Sequence, residues 1–295
     1  MNLAGIYLPV TTPFAADGTL DLDGFASNLA RWAQAPIAGF LVGGSTGEAV
    51  LLEDEELAGL IRRARLDCAP GLTLIAGTGA ESTARTLSLC ALAAAEGADA
   101  VLVRPPSYFA SAMSDLALRE HFVRVADTSE LPVLLYHVPK YVPVALGSGL
   151  VEELAQHDNI IGIKDSSGDL KNLAELVQAC SARAHVLVGS GSQLYSGLET
   201  GAAGGIVAVG LLAAAACCDL ESAWRADRGL EAGRIQERIG RLNKDVVGRF
   251  GVPGIKYALD VLGWRGGDPR MPLQPLGSRD QAAVLRALER AGLTP

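Results

Sequence analysis

Lysine is scarce in this chain. Only five stand among 295 residues, at positions 140, 164, 171, 244 and 256, and arginine carries the rest of the positive charge. Aromatic residues make up 5%, which suggests no stacking platform for single-stranded nucleic acid. The formal net charge is −8, with both signs interspersed, and this too argues against a nucleic-acid partner. Five cysteines, at 68, 90, 180, 217 and 218, are odd in number and irregular in spacing. They form neither a disulfide framework nor a metal motif, and reduced, buried thiols in a cytoplasmic protein are the expectation. Long apolar runs are missing as well. The longest, around 205–218, is broken by Gly210 and is too short to span a bilayer. The opening residues Met1-Asn2-Leu3-Ala4-Gly5 lack the basic and apolar segments of a secretory signal.

What is present is a core. Hydrophobic residues make up 49% and charged residues 20%, as in a compact globular chain. Short apolar runs alternate with amphipathic segments along most of the length. The expected strands are Gly5–Val10, Gly39–Gly43, Leu72–Gly77, Ala100–Arg104, Pro132–His137, Ile160–Lys164, Ala184–Gly189 and Gly205–Val209. Helical patterns fall near 22–34, 53–67, 82–96, 114–127, 148–157, 169–182, 193–200 and 211–226. Asp21, Asp54, Ser82, Ser114 and Asp169 stand where helices should start, and Gly97 and Gly201 where they should end.

Eight strand–helix units at roughly 25 residues each fit a (β/α)8 TIM barrel of the α/β class. An open doubly wound sheet is the alternative. Such a sheet usually carries a glycine-rich phosphate loop after its first strand, and here that place reads Thr11-Thr12-Pro13-Phe14. The expected organisation is a catalytic barrel over 1–226 and a helical extension over 227–295 packed on it. Breaks in the extension are expected at Pro253, Gly266-Gly267 and Pro269.

In a barrel the chemistry gathers at the C-terminal ends of the strands. Those ends here carry Thr11-Thr12, Gly43-Gly44-Ser45-Thr46-Gly47-Glu48, Arg104-Pro105-Pro106-Ser107-Tyr108, Tyr136-His137, Lys164-Asp165-Ser166 and Gly189-Ser190. This set has one amine and many hydroxyls, but no cluster of histidines and acids suited to a metal. A lysine closing a buried strand is costly to keep charged, and a deprotonated lysine attacks carbonyls to form a Schiff base. Snorkelling of Lys164 out of a strand end is the blander alternative. The iminium is an electron sink, so carbon–carbon bond making and breaking then needs a proton shuttle. Tyr136, one strand away, can serve, relayed through Thr46. Backbone N–H groups of the Gly43–Gly47 turn suit a carboxylate. His137 reads as a hydrogen-bonded structural residue, and Asp165 and Ser166 either orient Lys164 or cap the next helix.

Four segments in order carry a resemblance: Gly43-Gly44-Ser45-Thr46-Gly47-Glu48, Tyr136-His137-Val138-Pro139, Ile161-Gly162-Ile163-Lys164-Asp165-Ser166 and Gly204-Gly205-Ile206. The chain resembles the dihydrodipicolinate synthase/N-acetylneuraminate lyase superfamily of pyruvate-dependent class I aldolases over essentially its whole length. The resemblance implies catalysis by Lys164 as the Schiff-base residue, Tyr136 as the proton-shuttling phenol and Thr46 as its relay. It implies that Ser45 and Thr46 bind the pyruvate-derived carboxylate, with Gly189, Ile206 and Ser166 in the substrate site. Tyr108 would close the relay from a neighbouring subunit. The usual assembly is a homotetramer built as a dimer of dimers. Pyruvate and a small aldehyde are the implied substrates, with no cofactor or metal.

One departure bears on the substrate. Synthases that condense pyruvate with aspartate semialdehyde carry an arginine two residues after the proline of the Tyr-x-Val-Pro motif, and here that place is Tyr141, preceded by Lys140. The segments Ala76-Gly77-Thr78-Gly79, Lys164-Asp165-Ser166-Ser167-Gly168-Asp169 and Arg249-Phe250-Gly251-Val252-Pro253-Gly254 lean toward 4-hydroxy-2-oxoglutarate aldolases and keto-deoxy sugar acid aldolases. The expected function is cleavage of a 4-hydroxy-2-oxo acid to pyruvate and an aldehyde. Dihydrodipicolinate synthase, a 2-keto-3-deoxy sugar acid aldolase or dehydratase, a metal-dependent aldolase and a non-catalytic keto-acid-binding barrel are the alternatives.

Overall fold

The computed structural model describes residues 1–181 and 183–293. Residue 182, which ends the expected 169–182 helix, and residues 294–295 of the expected extension lie outside the described residues. Eight parallel strands close into a barrel in chain order: β1 (Gly5–Pro9), β2 (Gly39–Val42), β3 (Thr73–Gly77), β4 (Ala100–Val103), β5 (Val133–His137), β6 (Ile160–Asp165), β7 (His185–Val188) and β8 (Gly204–Ile206). β8 returns to β1 through Gly5↔Gly204 and Tyr7↔Ile206, so no edge is left open. The strands are short and rich in Val, Ile and Leu because both faces are covered. This is the (β/α)8 TIM barrel that the alternation implied.

The intervening helices are α1 (Leu22–Trp32), α2 (Asp54–Asp67), α3 (Thr83–Ala95), α4 (Asp115–Thr128), α5 (Ser148–Leu154), α6 (Leu170–Cys180), α7 (Leu194–Thr200) and α8 (Gly210–Arg225). The expected caps at Asp21, Ser82, Ser114 and Asp169 each accept a backbone N–H of the first turn. Asp54 is not a cap. Glu53 starts α2 in a reciprocal capping box with Glu56, whose side chain accepts from the Glu53 N–H at 2.9 Å. The acidic run at 53–56 hid that boundary.

Beyond the barrel run α9 (Gly229–Leu242), a π-helical stretch (Asn243–Gly248), α10 (Arg249–Val261) and α11 (Ser278–Arg290). Ile239, Leu242, Val246, Ile255, Leu259, Val284 and Leu288 are buried in the same hydrophobic core as the barrel residues. The break expected at Pro253 falls instead at Gly251, whose φ of 59° and ψ of −141° interrupt α10. Pro253 follows within the next turn, where its missing N–H leaves nothing unpaired. β8 is shorter than expected. Val209 already has helical φ and ψ at the start of α8, and the strand is held close to β1, where a Cβ on Gly204 would meet the Gly5 oxygen at 2.1 Å. Among the described residues no helix is long and apolar enough to cross a membrane.

Candidate active site

Register brings the central pair together. β5 and β6 run parallel with Tyr136 opposite Lys164 and His137 opposite Asp165. Side chains alternate along a strand, so the two pairs face opposite ways. Tyr136 and Lys164 are 7% and 5% exposed, and Lys164 Nζ stands 4.5 Å from the centroid of the Tyr136 ring. His137 and Asp165 form the other layer. His137 Nδ1 lies 2.8 Å from Asp165 Oδ1, and Asp165 also accepts from the Ser167 N–H, the Ser167 hydroxyl and the Asn172 amide on α6. His137 is thus the hydrogen-bonded structural residue expected. This hydrogen bond occupies Asp165 and leaves the amine of Lys164 out of the pairing.

The turn after β2 approaches from the side. Gly43 takes a left-handed φ of 67°, which glycine adopts at little cost. Ser45–Gly47 then form a single 3₁₀ turn, closed by Gly47 N–H to the Gly44 oxygen (3.0 Å) and Glu48 N–H to the Ser45 oxygen (3.2 Å). As its first two residues, Ser45 and Thr46 have backbone N–H groups with no acceptor inside the turn. Ser45 Oγ lies 3.4 Å from the Tyr136 hydroxyl. The hydroxyl of this turn within hydrogen-bonding distance of the phenol is thus that of Ser45, whereas the sequence reading gave the relay to Thr46. Thr46 is half-buried on the same turn and makes no bond to the phenol. Tyr136 and its neighbours supply a hydroxyl chain, a carboxylate-sized set of amides and one amine.

Gly189, Ser166 and Ile206 surround the same strand ends. Gly189 donates its N–H to the Asp165 oxygen at 2.6 Å, and Ser166 donates its N–H to the His137 oxygen at 2.8 Å. A Cβ on Gly189 would stand 1.9 Å from Ser166 Oγ, so this close approach admits only glycine. Ile206 is fully buried at the end of β8.

Tyr108 lies apart. Its ring is 81% exposed and packs edge-on against Phe109, itself 68% exposed. Its loop is pinned by Glu81, which accepts the N–H groups of Ser107 (2.8 Å) and Tyr108 (2.7 Å) and pairs with Arg104 at 2.8 Å. Burial opposes ionisation of Glu81, but these donors outweigh it and pull the carboxyl down to about 2. Arg104, singled out as a charge at a strand end, is therefore spent on its neighbour.

Tyr141 occupies the place of the synthase arginine. Its ring is half exposed, and a Cβ on Gly251 of α10 would lie 3.8 Å from its hydroxyl. Burial, and secondarily the charge Tyr136 can carry, raise the Tyr141 phenol above its ordinary value. Lys140 Nζ lies 3.4 Å from the Gly248 oxygen and 5.4 Å from the Tyr141 ring centroid.

Sequence reasoning missed one group. Glu48 is wholly buried, and its carboxylate takes Lys256 Nζ at 2.6 Å and the Arg270 N–H at 2.7 Å. The available signal was a lysine inside the apolar stretch Gly254-Ile255-Lys256-Tyr257-Ala258 of a chain with only five lysines.

Comparisons with known proteins agree with this architecture. Residues 2–291 match the family described as Dihydrodipicolinate synthetase family. A probable mitochondrial 4-hydroxy-2-oxoglutarate aldolase from Emericella nidulans is 35% identical, over 97% of this chain and 94% of that one. A 4-hydroxy-tetrahydrodipicolinate synthase from Exiguobacterium is 31% identical, over 97% of both chains. The crystal structure of the chloride-inhibited dihydrodipicolinate synthase from Acinetobacter baumannii complexed with pyruvate superposes with a TM-score of 0.94 at 28% identity, covering 99% of this chain and 100% of that one. With a family match from end to end and relatives above 30% identity over nearly the full length, the chain belongs to the dihydrodipicolinate synthetase family and is an enzyme of that family.

Proposed function

We propose that the protein is a Schiff-base lyase that cleaves a 4-hydroxy-2-oxo acid to pyruvate and a small aldehyde. The observation that carries this reading is the buried pair on β5 and β6, with Lys164 Nζ over the Tyr136 ring at 4.5 Å. In this reading Lys164 Nζ attacks the C2 ketone and water leaves, which gives an iminium. The proton of the C4 hydroxyl passes to the Tyr136–Ser45 hydroxyl chain. The C3–C4 bond breaks, its electrons move into the iminium, and the aldehyde departs. The resulting enamine takes a proton back at C3, and water then releases pyruvate and the free amine. The substrate carboxylate sits against the Ser45 and Thr46 amides and hydroxyls, within a wall formed by Gly189, Ser166 and Ile206.

Two observations favour an aldolase over the synthase. Tyr141 stands where a synthase carries its carboxylate-binding arginine, and a phenol cannot supply a bidentate cation. The 35% identical relative from E. nidulans is a probable 4-hydroxy-2-oxoglutarate aldolase. We assign glyoxylate as the aldehyde product on those grounds. We also assign Tyr108 to the relay of a neighbouring subunit in a homotetramer, a reading supported by its 81% exposed ring. The five unpaired cysteines suit the expected reducing cytoplasm.

The test is substrate selection. The purified protein, given 4-hydroxy-2-oxoglutarate, releases pyruvate and glyoxylate at a rate unchanged by a chelator. In the reverse direction, pyruvate condenses with glyoxylate faster than with aspartate semialdehyde. A preference for aspartate semialdehyde makes the protein a synthase instead, and loss of activity with chelator makes it a metal-dependent aldolase.

A further inference from the structure

We infer that the buried Glu48–Lys256 ion pair positions the turn that carries Ser45 and Thr46, so that the C-terminal extension forms part of the catalytic machinery. The role assigned to that turn rests on the proposed lyase function.

Glu48 ends the turn three residues after Ser45, in the left-handed region at φ 59° and ψ 32°. A non-glycine residue holds that conformation only where its surroundings fix it. Here they do. The side chain is 0% exposed, Lys256 Nζ lies 2.6 Å from Oε1, and the Arg270 N–H lies 2.7 Å from Oε2. Lys256 is equally enclosed. It donates a second bond to the Asp268 oxygen at 2.9 Å and covers the Phe14 ring at 4.5 Å. Arg270 covers the same ring at 4.2 Å, and its guanidinium spans Glu56 on α2 and the Leu51 and Gly18 oxygens. The opposite flank of the turn is held by the barrel. The Thr12 hydroxyl donates to the Gly47 oxygen at 2.7 Å, and a Cβ on Gly47 would lie 3.0 Å from the Val10 oxygen.

An ion pair buried this way is a poor source of net stability, since apolar groups of the same volume serve as well. Burial pushes the Lys256 ammonium below its ordinary value, and only Glu48 and its acidic neighbours offset that. What the pair supplies is geometry. It ties a residue adjoining the reactive turn to α10, 208 positions further along the chain.

The test is a double-mutant cycle of Lys256→Met with Ser45→Ala, read in two ways. The first is the rate of borohydride trapping of pyruvate on the folded protein. The positioning role predicts that Lys256→Met slows trapping at least tenfold, and that the double variant is less than multiplicatively impaired. Lys256→Arg should recover part of the loss. The second readout needs no substrate: hydrogen exchange of the Gly43–Glu48 amides accelerates in Lys256→Met while α3 stays protected. If Lys256→Met does not fold, Glu48→Gln takes its place in the cycle. Multiplicative effects with unchanged exchange at 43–48 overturn the inference. Absence of trapping in the unsubstituted protein overturns the lyase reading instead and leaves the exchange result to judge the pair.

Discussion

Tyr136 and Lys164 are register partners on adjacent parallel strands, and the lysine amine lies 4.5 Å from the tyrosine ring centroid. Neither residue is more than 7% exposed. A phenol face this close attracts the positive charge of an iminium formed on that amine in the proposed mechanism. The same juxtaposition leaves the phenol hydroxyl facing Ser45 at 3.4 Å. In the proposed mechanism, one strand pair thus brings together the electron sink and the proton carrier.

Removing the phenol hydroxyl separates these roles. Tyr136→Phe should keep imine formation, because Lys164 is untouched, and slow turnover by about 10² to 10⁴-fold, the usual range for a lost general acid–base. Ser45→Ala should slow turnover less, and should also slow trapping, because its turn receives the pyruvate carboxylate in the proposed site. Steady-state rates combined with borohydride trapping check this. Failure of Tyr136→Phe to trap pyruvate at all would assign Tyr136 a role in imine formation itself.

Tyr141→Arg should shift aldehyde preference toward aspartate semialdehyde. The substitution restores a fixed, planar cation at the position two residues after Pro139, where a distal carboxylate can pair bidentately. Competition between glyoxylate and aspartate semialdehyde measures the shift. An unchanged ratio would place the specificity elsewhere.

Glu81 should titrate far below an ordinary carboxyl. Its folded-state value of about 2 lies beneath the usual 4.5, so its contribution to stability is complete above pH 4.5 and is lost as pH falls toward 2. Carbon-13 NMR of the side-chain carboxyl reads this directly. A midpoint at or above 4.5 would mean that the Ser107 and Tyr108 amides do not hold the loop in solution.

His121 predicts a second acid-sensitive window. It is 6% exposed, its Nδ1 meets the Thr83 hydroxyl at 2.9 Å, and its Nε2 has no partner among the described residues. Burial lowers it to about 4 from the ordinary 6.5. The imidazole is therefore neutral in the fold, and stability declines as pH falls from 6.5 toward 4. At about 1.4 kcal/mol per unit the loss is about 3 kcal/mol. Denaturant unfolding at pH 7 and pH 4.5 measures it, and His121→Leu should flatten the difference. An equal decline in that variant would assign the acid sensitivity to other groups.

Much of the barrel was legible because parallel strands buried on both faces leave short Val-, Ile- and Leu-rich runs, and helix caps leave Ser and Asp at fixed places. Lys164 and Tyr136 could be paired because both sit at strand ends. Local features were misplaced where two signals competed. The acidic run 53–56 obscured Glu53 as the cap, and Pro253 drew attention from Gly251, where α10 bends. Which hydroxyl faces Tyr136 depends on the twist of the 3₁₀ turn, and sequence gives no sign that Ser45 is nearer than Thr46. The Glu48–Lys256 pair joins residues 208 positions apart, beyond any periodicity.

The central claim is the covalent one. Incubation with pyruvate and sodium borohydride, followed by intact mass and peptide mapping, should give one reduced adduct per chain, confined to Lys164 and absent from Lys164→Ala. A folded protein that yields no adduct, or one that still yields it after Lys164→Ala, would contradict the account.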